Sequence, residues 1–433
     1  MGEDYGSVCG LFNLNFLNLF TQEPIATMIS STLIPPSIDI EAVRLEIRAL
    51  QPKLVQWRRH IHQYPELGFQ EQLTSTFVCN KLSEWGIDYE AGIAKTGVVA
   101  TIPGCAPGPV LAIRADMDAL PIHELNQVPY RSQHANTMHA CGHDGHTAIA
   151  LGTACYLAKH RQNFSGTVKI IFQPAEEGPG GAKPMIEAGV LENPNVDGLI
   201  GLHLWNNLPI GQMAVRGGPL MAAVESFKLH ILGKGGHGAM PDQTVDSVIV
   251  GAHIVNALQT IVSRNVNPLQ SAVITIGEFH AGTRHNVIAD SANLSGTVRY
   301  FDPQFEGYLQ QRIETTIASI CQMHGATYDL NYWQQYPATI NDPTMAAFVR
   351  SVAEGVVEDS DAIIDYQTMA AEDVSFFLRA VPGCYVLLGS ANRDRNLAYP
   401  HHHPRFDFDE NIMQMGVELF VRCVEQFSSQ GKP

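Results

Sequence analysis

Hydrophobic and polar positions change rhythm along the chain, and each rhythm predicts a different element. After Pro35-Pro36, apolar and charged residues recur at helical spacing from Ile40 to Tyr64 and stop at Pro65, which predicts a first helix. Short continuous apolar runs follow: GVVATI (97–102), VLAIRA (110–115), TVKIIF (167–172), GLIGLHL (198–204) and, much later, CYVLLG (384–389). Unbroken runs suit strands buried on both faces, and helical segments such as Gly145 to Lys159 lie between them. The expected core is therefore α/β, a mostly parallel sheet sandwiched by helices. Between about 219 and 334 the order becomes strand (SFKLHILG), helix (Asp246 to Arg264), strand (SAVITIGEF), strand (ANLSGTVRYF), helix (Pro303 to Met323), strand (ATYDLNYW). That is the order of a ferredoxin-like α+β unit. The core's last strand and its final helix, about Asp409 to Gln426, come only afterwards, so this unit is an insertion. The expected organisation is a disordered N-terminal extension (1–40), a core in two parts (41–218 and 335–433) and an inserted domain (219–334).

Composition narrows the classes. Hydrophobic residues make up 45% of the chain and charged residues 16%, a folding balance. The net charge of −16, with no basic patch, argues against a nucleic-acid partner. The eight Cys are spread singly with no CxxC pair, which fits a reducing compartment. No Lys or Arg precedes Arg44, so the apolar stretch Val8 to Phe20 lacks the charged start of a signal peptide. The longest apolar stretch, Thr147 to Ala158, is well short of the roughly 20 residues that span a bilayer. A soluble cytoplasmic protein with no membrane partner is expected, and Met28 is a candidate translation start.

The surplus is in histidine. Of the 18 His, five (His123, His134, His139, His143, His146) fall within 24 residues and three form the run His401 to His403. Polar groups also collect after the core strands: Asp116 and Asp118 after VLAIRA, Glu176 and Glu177 after TVKIIF, His203 at the end of GLIGLHL, and the triple His after CYVLLG. In open α/β sheets ligands bind outside the carboxyl ends of the strands, so these segments should converge. MHACGHDGH (138–146) adds Cys141 and His143, two apart in a turn that opens a helix. Cys, His and carboxylate together suit a divalent metal such as Zn²⁺. Alone, Cys141 could be a small buried hydrophobe and Glu176-Glu177 a solvated helix start. Beside a cation the two carboxylates make sense, one as ligand and the other as general base. GPGGAK (178–183) lacks the spacing and the Ser or Thr of a P-loop. A Cys141 nucleophile is the weaker reading, because a metal-bound thiolate is less available to attack.

Several strings, in order, carry a resemblance: RADMDALPI (114–122), MHACGHDGHT (138–147), FQPAEEG (172–178), GLHLW (201–205), GKGGHGAMP (233–241), NVIAD (286–290), GTVRYFD (296–302) and HHPRFDFDE (402–410). From about residue 45 onward the chain resembles the dinuclear metallo-amidohydrolases, in the branch of N-acyl-amino-acid amidohydrolases (aminoacylases), hippurate hydrolases and auxin-conjugate hydrolases. The resemblance implies a phosphorylase/hydrolase-like catalytic domain interrupted by a lid that mediates homodimerisation. It implies two divalent ions per subunit (Zn²⁺, Mn²⁺, Co²⁺ or Ni²⁺) held by Cys141, His143, Glu177, His203 and a late His, which the motif's spacing to Pro404 selects as His402. Glu176 matches the general base, and Asp116 and Asp118 match acids that orient ligands. His237 resembles a residue that polarises the scissile carbonyl, often in the partner's site, and Asn286 a substrate-positioning group. Glu372-Asp373 resembles a further acidic motif of open role. The implied activity is hydrolysis of N-acetyl-, benzoyl- or indole-acetyl-amino acids. The alternatives are a dipeptidase or carboxypeptidase with the same machinery, or a non-catalytic metal-binding scaffold. Trp205, Asn206, Leu220 and Met221 are candidate pocket walls.

Overall fold

A computed structural model describes residues 40–430; the N-terminal extension and the Met28 start lie outside them. The first helix, Ile40–Gln63, places Val43, Ile47, Leu50, Leu54 and Ile61 on its buried face. It packs with His143–Lys159 and Met413–Gln430 over one side of an eight-stranded sheet. The middle helix of this layer is enclosed all round, and every residue from His143 to Leu157 is buried.

Four strands at the centre of the sheet run parallel. Val110–Asp116 lies between Thr167–Gln173 and Gly198–Pro209, and the last of these pairs with Gly383–Ala391. All seven residues of Val110–Asp116 are buried, the signature of a strand covered on both faces. The run around GVVATI departs from the parallel pattern. Gly97–Pro103 is antiparallel both to Asp88–Ile93 and to Thr167–Gln173. Only Ala94, Lys95 and Thr96 join it to Asp88–Ile93, and so short a link can only reverse the chain. At the other end of the sheet Met213–Ala214 runs antiparallel to Gly383–Ala391, and Ile363–Ile364 forms the far edge.

A second sheet orders Ala272–Ala281, Ser291–Tyr300, Ala223–Leu232 and Thr327–Tyr336, all antiparallel. Phe227, Leu229 and Ile231 are buried while Lys228 and Leu232 are exposed, the alternation of a sheet covered on one face only. The cover is Ser247–Asn265, capped by the Asp246 carboxylate, and Tyr308–His324. Among the described residues no helix is long and apolar enough to cross a membrane.

Candidate active site

The strand Val110–Asp116 ends at the site, and so does the N-terminus of helix His143–Lys159. Gly142 precedes that helix at φ 94, a left-handed backbone that suits glycine and lets Cys141 and His143 turn to the same side. Thr167–Gln173 leads through Pro174 and Ala175 into Glu176 and Glu177. His203 sits within Gly198–Pro209, paired with Leu387, because that strand runs five residues past the apolar string.

Side chains from these segments form overlapping groups of potential ligands. Cys141, His143 and His203 each offer an atom within 4.8 Å of the others, and the same holds for Cys141, Glu177 and His402. Cys141 is common to both. Its Sγ is 3.5 Å from His203 Nε2, and His402 Nε2 is 3.1 Å from Glu177 Oε1. Of the three consecutive histidines, His402 faces this centre, at φ 64. His401 turns its Nε2 to the Leu204 carbonyl (2.9 Å) and stacks on Trp205, while His403 stacks on Tyr399.

Hydrogen bonds fix which imidazole nitrogens face inward. His143 Nδ1 donates to Asp118, to its carbonyl at 3.0 Å and its carboxylate at 3.2 Å, leaving Nε2 buried without a hydrogen-bond partner. His203 Nδ1 donates to the Leu204 carbonyl at 2.8 Å, so its Nε2 also points at the centre. A carboxylate or carbonyl behind a ring is the usual support of a metal-ligating histidine. Glu177 Oε1 likewise has no hydrogen bond of good geometry.

Charge points the same way. Asp116, Asp118, Glu176, Glu372 and Asp373 are buried with Glu177 half-buried beside them, and Arg114 is the guanidinium among them. It reaches Asp116 (2.6 Å), Glu372 (2.9 Å) and Asp373 (2.9 Å). Burial pushes the Glu176 carboxyl well up, and Glu372 and Glu177 add to the rise. Burial also drives the Cys141 thiol well up, followed by Glu177 and Glu176. His143 is raised to about 10 against its burial, by Asp116 and Asp118. A field that strong favours positive charge at Nε2, which a divalent cation supplies as well as a proton does. The donor set, thiol, imidazole and carboxylate, fits such cations.

A cavity of about 570 Å³ opens over the centre. Cys141, Glu176, Glu177, His203 and His402 line it, with Trp205, Met221 and Met369 as apolar wall and Arg299 and Trp333 from the second sheet. Asn206 is held away by the Tyr399 and Asp407 carbonyls, and Leu220 is buried in the core beneath. His237 and Asn286 stand apart. Both are exposed, on neighbouring chain segments where Gly238 N donates to the Asn286 carbonyl, and neither lines the cavity.

Several roles went unread in the sequence. Arg299 lines the cavity, its guanidinium making no hydrogen bond or ion pair among the described residues, and burial lowers its pKa. Its string GTVRYFD was visible, but a single Arg on a strand carries no signal of where it points. His146 donates to Asp116 at 2.6 Å and accepts from Leu204 N at 2.8 Å, a supporting contact that the His density alone could not separate from ligation. Asp373 accepts from Gly181 N and Ala182 N, fixing the turn after the two glutamates.

Residues 112–426 match the family described as peptidase family M20/M25/M40. The chain is 38% identical to thermostable carboxypeptidase 1 of Saccharolobus solfataricus over 90% of its length and 99% of the relative's. It is 44% identical to the N-acyl-L-amino acid amidohydrolase of Geobacillus stearothermophilus, over 70% of this chain and 81% of that one. Among solved structures, the YXEP protein of Bacillus subtilis, described as a dinuclear metal-binding peptidase of the M20 family, superimposes with a TM-score of 0.77 at 34% identity, covering 88% of this chain and 99% of the other.

Proposed function

The chain belongs to peptidase family M20/M25/M40 and is a metal-dependent hydrolase of amide bonds; from that premise we propose that its substrates are N-acyl amino acids and that two divalent cations serve each active site. Cys141 would be shared between the cations, with His143, Glu177, His203 and His402 completing the ligands. The observation that carries this reading is the pair of overlapping donor groups joined at Cys141, with His143 Nε2 buried and unpartnered among carboxylates. Bound there, the cations supply Lewis acidity, lowering the pKa of water and polarising a carbonyl.

The chain's own groups do the rest. Glu176, which lines the cavity beside Glu177, would take the proton of the attacking water as its carboxylate, the cations offsetting the neighbouring acids. It then delivers that proton to the nitrogen of the leaving amine. Asp118 and Asp116 keep His143 and His146 in the required tautomers. Arg299, unpaired in the cavity, suits the α-carboxylate of the amino acid, while Trp205, Met221 and Met369 suit an uncharged acyl group. A dipeptide would bring an ammonium instead. Glu372, the remaining carboxylate of the wall, already accepts from Arg114 and the Tyr385 hydroxyl. His237 and Asn286, exposed on one protomer, would reach the site of a partner in a cytoplasmic homodimer assembled through the 219–334 unit, and His237 would polarise the carbonyl there.

The test is a panel of acetyl, benzoyl and indole-acetyl amino acids, their C-terminal amides and dipeptides, assayed with Mn²⁺ or Co²⁺ added. The acyl amino acids should be cleaved and their C-terminal amides spared. Cleavage of dipeptides with no turnover of any acyl amino acid would overturn the substrate assignment.

A further inference from the structure

One buried carboxylate near the site has no part in the steps above. Glu71 occupies the position before helix Gln72–Glu84, where a side chain ordinarily bonds the first free N–H groups, yet it makes no such bond. Glu66 does so instead, accepting from Leu73 N at 3.0 Å and Thr74 N at 2.9 Å. Glu71 is wholly buried and forms no ion pair among the described residues. Its Oε1 accepts from the backbone N–H of Ala175 at 2.8 Å, and its Oε2 accepts from the Thr96 hydroxyl at 2.6 Å.

Ala175 has φ 55, a left-handed backbone that a β-carbon disfavours and that persists only where the surroundings impose it. It directly precedes Glu176 and Glu177. Their peptide groups are pinned in turn, the Glu176 carbonyl by the Tyr336 hydroxyl (2.7 Å) and the Glu177 N–H by Asp118 (2.9 Å). The segment leading to Glu71 lies tight on the same loop: a β-carbon on Gly68 would come within 2.5 Å of the Gly178 oxygen and 3.0 Å of the Ala175 side chain.

We propose that Glu71 is a positioning residue. By holding the strained turn at Ala175, it lets two adjacent glutamates of one loop point to different tasks, Glu176 to the reacting water and Glu177 to the cations. This rests on the roles given to those two residues above. Glu71→Ala frees the turn, whereas Glu71→Gln keeps an oxygen for the Ala175 N–H. In the metal-loaded enzyme Glu71→Ala should lower kcat about 100-fold with KM changed by less than about threefold, as expected when a reacting group is misaimed by an ångström or so. It should also alter the Co²⁺ absorption spectrum, which reports the Glu177 ligand. Glu71→Gln should return kcat to within about fivefold of the parent and restore the spectrum. A residue that only supports the fold would lower Tm while leaving kcat per folded molecule and the spectrum alone, and that result would overturn the proposal. So would a Gln variant as defective as the Ala variant. Should Glu71→Ala not fold, Glu71→Asp withdraws the carboxylate from the Ala175 N–H, and an unchanged kcat and spectrum there would count against the proposal equally. If the parent enzyme cleaved no amide, the functional reading would fail, and the cobalt spectra would still decide the positioning role.

Discussion

The floor and the roof of the cavity are built by different rules. The floor stands at the ends of strands buried on both faces, and its groups are held by contacts beneath them: Asp118 behind His143, the Leu204 carbonyl behind His203, Arg114 among the acids. The roof comes from a sheet covered on one side only. It sends Arg299, Trp333 and Tyr336 into the cavity and leaves His237 and Asn286 in solvent. The contrast teaches that the candidate ligands and base need only the first sheet's strand ends, while the second sheet adds further groups from above. The floor's candidate ligand atoms converge within a single chain, whereas the roof's two outlying residues stand outside the cavity of their own chain.

Variants can sharpen or break this division. The largest effect belongs to the floor: His143→Ala should lose bound metal, and activity with it, because it removes a donor that Asp118 holds in place; metal analysis after gel filtration checks it. Next, Glu176→Gln should lower kcat by roughly 10² to 10⁴-fold with metal content kept, which steady-state kinetics beside metal analysis will read. In the roof, His237→Ala should cost on the order of 10² to 10³-fold in kcat. Mixing the His237→Ala and Glu176→Gln proteins separates the two regions. If the roof acts on its partner, mixed dimers carry one complete site, and activity should return to about a quarter of the parent's; none should return if each lid serves its own floor. The smallest effect is expected for Arg299→Ala, which should raise KM by about 10 to 100-fold with kcat less affected, the loss of one charged contact to substrate.

The same division governs what could be read from the sequence. Floor residues announce themselves because strand ends collect them. Asp116, Glu176 and the Cys141–His143 turn each follow an apolar run or open a helix, and the topology of a parallel sheet brings them together. Choosing His402 from three consecutive histidines needed a motif; in the structure His401 and His402 both line the cavity, and it is His402 that lies beside Glu177. The supports were not legible. Glu71 bonds Ala175 from 104 residues away, and Arg114 meets Glu372 from 258 away, and no local spacing encodes such pairings. Arg299 was missed for a related reason. Its strand alternates, and which face looks at the cavity depends on how the second sheet is seated. The GVVATI strand was placed correctly but not its direction, because an apolar run has no polarity and only the three-residue link before it does.

The central claim is that the floor is a two-cation centre. Protein stripped by a chelator and titrated with Mn²⁺ or Co²⁺ tests it most directly, with hydrolysis of an N-acyl amino acid and bound metal followed together. Activity should be absent at the start and level off at about two equivalents per chain. Full activity in the stripped protein, or a plateau at about one equivalent, would contradict the account.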